Sequence, residues 1–193
     1  MKCNYRAPES RDKLERERRI TTYTRGCIFG TMVQTLYERF YFGEKRCTRF
    51  LDGCRALIAE LEAENPGDHA AQCDVMRERI GKECDIDYGV RHLSGARQKN
   101  ACAHDVMTMC GLLVLARDFG FGCKRSQNHK DVDPESRLSI FFDAMGKNIR
   151  YINRVNDPDT PVNEQIMFWD WLDDHLIGYG FSRKFVDNAI RGW

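Results

Sequence analysis

The chain has 193 residues, 42% of them hydrophobic and 11% aromatic, and a formal net charge of +1. That is enough apolar material for one ordinary domain or two small ones, and it excludes a disordered chain. No run reaches the roughly 18 apolar residues of a membrane span, and residues 1–10 lack a signal peptide's apolar segment, so the sequence reads as cytoplasmic, with no membrane partner.

Helix signals dominate from the start. Ser10 is placed to cap a long charged helix through RDKLERERRITTYTR that runs on towards Phe40, with Gly26 and Gly30 as points where it can bend. A second helix spans 44–63, with its apolar stripe at 47, 50, 51, 54, 57, 58 and 61, and stops at the turn ENPGD. Asp68 can cap a third helix to about Glu83, after which CDIDYG breaks the chain. From Ser94 a fourth helix runs to Asp118. Its second half, MTMCGLLVLA, is apolar on every side and marks the centre of a bundle. Asp133-Pro134-Glu135 starts a helix to about Asn153, Thr160-Pro161 repeats the device before WDWLDDHL, and Ser182 caps a short last helix. Alternating strand patterns are nearly absent. The expected fold is an all-α helical bundle, with units at 1–90 and 91–193 packed as one compact domain.

The nine cysteines include no CxxC pair, and Cys47 and Cys54 fall in step with the apolar stripe of the second helix. They read as reduced thiols that act as small core hydrophobes.

One phrase occurs twice: FYFGEKR at 40–46 and FGFGCKR at 119–125, with a degenerate third copy, GYGFSRKF, at 178–185. Each lies between a helix and a following segment that opens with basic residues, which predicts three helix–hinge–helix units. Glycine supplies the positive φ at a helix end and the aromatic pins the corner. Neither needs the basic residues. Lys45-Arg46, Lys124-Arg125 and Arg183-Lys184 fall in helix first turns, where positive charge is disfavoured by about 0.3–1 kcal/mol. Free N–H groups combined with Lys or Arg suit an anion such as phosphate. The alternative is that these long side chains only snorkel into water. These six residues, with Arg49, are the expected contacts to a nucleic acid or other anionic partner surface.

Charge is segregated elsewhere. Residues 11–25 carry six basic side chains against three acidic, whereas 157–174 carry six acidic and none basic. The segment EQIMFWDWLDD has more large apolar side chains than one buried stripe holds. Trp171, Asp173 and Asp174 are therefore candidates for partner contact, with a buried helix as the competing reading.

No catalytic set or cofactor loop is found: Walker, dinucleotide and GxSxG patterns are absent. Cys102, His104, Cys110, Cys123 and His129 lack zinc-knuckle spacing, so no structural metal is expected. Asp170, Asp173, Asp174 and His175 could collect a divalent ion, which leaves a metal-dependent nuclease as a minor alternative.

The stretch LYERFYFGEKRCTRFLDGCRALIAELE, followed by VMRERIGKECDID, resembles small helical proteins of bacteriophages and mobile elements in Firmicutes, over 31–87. The resemblance implies an accessory role as a nucleic-acid binder or as an inhibitor of host defence machinery, anti-CRISPR proteins included. The expected protein is non-enzymatic and obstructs a host protein or ribonucleoprotein nuclease complex. A stand-alone DNA- or RNA-binding regulator is the alternative.

Overall fold

In the computed structural model, which describes residues 11–84, 88, 96–121, 136–155 and 168–190, every regular element is helical. The elements are α1 (Arg11–Phe40), α2 (Glu44–Glu64), α3 (His69–Cys84), α4 (Ala96–Phe119), α5 (Arg137–Val155), α6 (Phe168–Gly178) and α7 (Arg183–Phe185), the last continued by a π-helical stretch, Val186–Ile190. The fold is an all-α bundle.

Short polar residues set several of the starts. Asp68 Oδ1 accepts the N–H groups of Ala70 and Ala71 at 3.2 and 3.1 Å and so caps α3. The Ser182 hydroxyl accepts the Phe185 N–H at 3.1 Å and caps α7. Before α5 the cap is Ser136, which accepts the Ser139 N–H at 3.1 Å. The start signals at Ser10, Ser94, Asp133-Pro134-Glu135 and Thr160-Pro161 lie outside the described residues.

α4 is the axis of the bundle. Its residues 106–115 are buried on every side, and it packs against α1, α2, α3 and α5. The core is a single cluster that runs in sequence from Ile28 to Ile190. α2 contributes Cys47, Phe50, Leu51, Cys54, Leu57 and Leu61, the stripe its periodicity predicts, with Ile58 partly buried at its edge.

Glycines within helices mark the closest crossings. α1 passes through Gly26 and Gly30 as one helix, and a Cβ at Gly30 would come within 2.6 Å of Leu172 Cδ2. Gly30 therefore admits α6. Gly111 admits Met32 in the same way, since a Cβ there would lie 2.6 Å from Met32 Sδ. Across α3 and α4 the pairing is polar, because the Arg117 guanidinium donates to both carboxylate oxygens of Glu83, at 2.7 and 2.5 Å.

None of the seven described cysteines is in a disulfide, and six of them are buried. Burial is the main cause that pushes Cys47, Cys73 and Cys110 up to about 12, so these groups stay neutral at physiological pH. None of the helices among the described residues is long and apolar enough to cross a membrane.

Candidate functional site

The three copies of the hinge phrase share one backbone device. In each, the residue after the first aromatic takes a left-handed conformation: Tyr41 at φ 54°, Gly120 at φ 66° and Gly180 at φ 89°. The next N–H folds back onto the preceding helix. Phe42 donates to the Leu36 carbonyl at 3.2 Å, Phe121 to Leu115 at 3.1 Å and Phe181 to Leu176 at 3.0 Å. These bonds satisfy carbonyls that a helix end leaves without partners. They also turn the second aromatic of each phrase inward, so that Phe42, Phe121 and Phe181 are all buried.

The expected role of the first conspicuous glycine needs correction. Gly43 has φ −76° and ψ 173°, an extended conformation open to any residue, and it serves as N-cap of α2 without a side-chain bond. The left-handed position is two residues earlier, where Tyr41 stands in the first copy and glycine in the other two. Gly122 lies outside the described residues.

The hinges meet each other. Phe40 contacts Phe121 with ring centroids 4.6 Å apart, Phe42 contacts Phe119 at 5.1 Å, and Phe42 also contacts Phe121 at 5.8 Å. The third hinge joins from the other side. Tyr37 stacks on Tyr179 at 4.4 Å and meets Phe181 edge-on at 5.6 Å, while the Tyr179 hydroxyl donates to Glu38 at 3.1 Å. Burial first, then the neighbouring Glu38 carboxylate, raises the Tyr179 hydroxyl above its ordinary pKa. Glu44, the first residue of α2, accepts the Ser182 N–H at 2.9 Å and the Ser182 hydroxyl at 3.0 Å. Three helix ends, distant in sequence, thus form one corner of the bundle.

Basic side chains surround this corner. Lys45, Arg46 and Arg49 on α2, and Arg183 and Lys184 on α7, are all exposed. Their local engagements differ. The Arg46 guanidinium lies 4.0 Å from the centroid of the Phe42 ring. That of Arg49 lies 5.2 Å from the Phe119 ring and donates to the Asp118 carbonyl at 3.4 Å. Both cations lie against the aromatic cluster while remaining in water. Arg183 forms an ion pair with Asp173. Lys124 and Arg125 lie outside the described residues, although Phe121, just before them, is part of the corner.

The acidic-aromatic segment divides. Trp171 is 7% exposed and packs against His175 at 4.7 Å and Tyr151 at 6.5 Å, so its ring belongs to the core cluster rather than to an open surface. Asp173 is half-buried beside Arg183, and Asp174 is exposed. The His175 Nδ1 lies 2.7 Å from the Trp171 carbonyl. Among the described residues there is no group of three or more His, Cys, Asp or Glu side chains that could hold a metal ion. Cys123 and His129 lie outside those residues.

Two features of the corner escape a reading of the sequence. The tie from Glu44 to Ser182 joins residues 138 apart, and no local pattern encodes it. Tyr41 did leave a signal, since it is a tyrosine where the second and third copies have glycine. Comparison of the chain with protein-family models, curated proteins and solved structures gives no match.

Proposed function

We propose that this protein is a non-enzymatic binding protein of phage or mobile-element type, and that it engages and obstructs a host nucleic-acid-handling complex, a defence nuclease of the CRISPR kind, through its triple-hinge corner. The observation that carries the proposal is the convergence of the three hinge phrases. Folding uses their aromatics and their left-handed residues, and Arg46 and Arg183 also make local contacts, whereas Lys45 and Lys184 stand exposed beside them. In α2 the first-turn Lys45 and Arg46 oppose the helix dipole, a small stability cost that a binding role offsets. Collected at one corner, Lys45, Arg46, Arg49, Arg183 and Lys184 give a positive patch on a protein whose net charge is only +1. A patch of this kind suits phosphates or a carboxylate-rich protein face.

The test is capture from host lysate by the tagged protein, with and without nuclease treatment, beside a variant carrying Lys45→Gln, Lys124→Gln, Arg125→Gln and Lys184→Gln. Arg46, Arg49 and Arg183 are kept, because each has a structural contact. Capture of nuclease-complex subunits by the parent, reduced in the variant at unchanged melting temperature, is the expected result. Equal capture by both proteins would remove the corner from the account.

A further inference from the structure

The geometry points to Tyr41 as a stacking platform for an unpaired base, making single-stranded nucleic acid the chemical class that the corner receives; this inference rests on the binding role proposed above. Three observations carry it. Tyr41 is 82% exposed, the most exposed of the large hydrophobic side chains described, so its ring adds little to the core. Its backbone is left-handed at φ 54°, a conformation that costs a non-glycine residue stability, while the equivalent positions hold Gly120 and Gly180. The fold therefore has a better residue for this place and uses it twice. Finally, the exposed charged side chains nearest the ring in sequence are cationic, Arg39 on one side and Lys45 and Arg46 on the other, while the half-buried Glu38 and Glu44 are engaged by Tyr179 and Ser182. An aromatic face set among backbone-neutralising cations is the arrangement by which proteins hold single strands, each base stacking on a ring while Lys and Arg follow the phosphates. A duplex keeps its bases stacked inside and offers such a ring no face.

The rigidity of the support adds to this. Tyr41 lies between Phe40 and Phe42, both held by the second hinge, and its own N–H is bonded to the Tyr37 carbonyl at 3.0 Å. The ring is thus mounted on a fixed backbone, which limits the ordering cost of binding.

The experiment uses a fluorescently labelled oligo-dT of about 20 nucleotides, longer than the site of a single-strand binding module, and a mixed-sequence duplex of equal length. Both are titrated with the full chain and followed by anisotropy at several salt concentrations. The parent is expected to bind the single strand more tightly than the duplex. Tyr41→Ala should weaken binding to oligo-dT about 5- to 100-fold with an unchanged salt slope, and Tyr41→Phe should restore it. The four-Gln variant should instead make the slope shallower. Tyr41→Gly should also weaken binding while raising the melting temperature by about 2–4 °C, as relief of the left-handed strain would do in a chain of this size. Tyr41→Ala binding as well as the parent would overturn the stacking role, and if the four-Gln variant were still weakened, the basic corner would stand without it. A parent that ignores oligo-dT, or a Tyr41→Gly that melts lower than the parent, would also overturn it. So would dependence on Tyr41 of the capture of a protein from nuclease-treated lysate, which would place the ring on a protein surface. Failure of the corner itself is read separately, from the lysate capture of the four-Gln variant.

Discussion

Phe40 of the first hinge rests on Phe121 of the second with ring centroids 4.6 Å apart, and Phe42 and Phe119 repeat the contact crosswise at 5.1 Å. Because 40 corresponds to 119 and 42 to 121, the two pairs are equivalent, as across a local two-fold axis. The repetition of the phrase thus has a packing consequence, since each hinge covers the aromatics of the other.

Truncation at this junction should be severe and coupled. Phe42→Ala or Phe121→Ala alone is expected to cost about 3–5 kcal/mol, both rings being buried. Their double variant should cost less than the sum, because each deletion leaves the other ring partly without its neighbour. Urea unfolding of the four proteins in the cycle measures this. Strict additivity would mean that the two hinges fold independently.

The hinge glycines are not equivalent. Gly120 has φ 66° and open space where a Cβ would sit, with nothing within 4 Å, so alanine there meets backbone strain alone. Gly120→Ala should destabilise by about 1–2 kcal/mol. Gly43 has equal space and an extended backbone but caps α2, where glycine is preferred to alanine, so the capping loss and the unfolded-state gain oppose each other and Gly43→Ala should change stability by less than about 1 kcal/mol. Thermal melting of both variants checks the assignment. The reverse order would return the positive-φ role to Gly43.

Much of this fold was legible in the residues. The stripe of α2, the all-round apolar run around Leu113, and the caps Asp68 and Ser182 depend on neighbours three or four positions away, and local periodicity reports such relations directly. The site was legible only as a repeated phrase. That its copies would meet could not be read, because the Phe40–Phe121 contact and the Glu44–Ser182 bond depend on how α1, α4 and α6 pack, not on any local pattern. Trp171 shows the limit from the other side. Its acidic neighbours pointed outward, yet its own ring lies inside, because a helix covered on more than one face can bury apolar residues beyond a single stripe.

The ion pair between α3 and α4 gives a pH-dependent prediction. The Arg117 guanidinium is the main cause that holds the Glu83 carboxyl below its ordinary range. A depressed carboxylate stabilises the fold above the unfolded pKa of about 4.3 and loses that contribution as pH falls through the folded value. Both side chains are more than a third exposed, so solvent screening limits the pair to about 0.2–1 kcal/mol. Glu83→Gln should accordingly melt slightly below the parent at pH 7, and the difference should close below about pH 4. A gap that persists at about pH 3, below the carboxylate range, would assign the effect to packing rather than charge.

The core thiols should be silent to reagents. Cys47, Cys54, Cys73 and Cys110 are buried, and their thiols are raised chiefly by burial. Maleimide at about pH 7.5 should therefore leave all four unlabelled in the folded protein and label them in guanidinium, as read by peptide mass spectrometry. Rapid native labelling of Cys54 or Cys110 would mean that α2 and α4 separate readily.

The most direct test of the central claim, that the three hinges form a binding face whose basic residues serve a partner rather than the fold, is the salt dependence of partner binding compared with stability in one variant. Replacing Lys45, Lys124, Arg125 and Lys184 by Gln should leave the melting temperature unchanged or slightly raised, because Lys45 is an exposed first-turn cation of α2 whose removal relieves the helix dipole. The same replacement should weaken binding to the captured complex and flatten its dependence on salt, roughly in proportion to the phosphate contacts removed. A variant that binds with the parent's affinity and salt slope would contradict the claim and leave the repeated phrase as architecture alone.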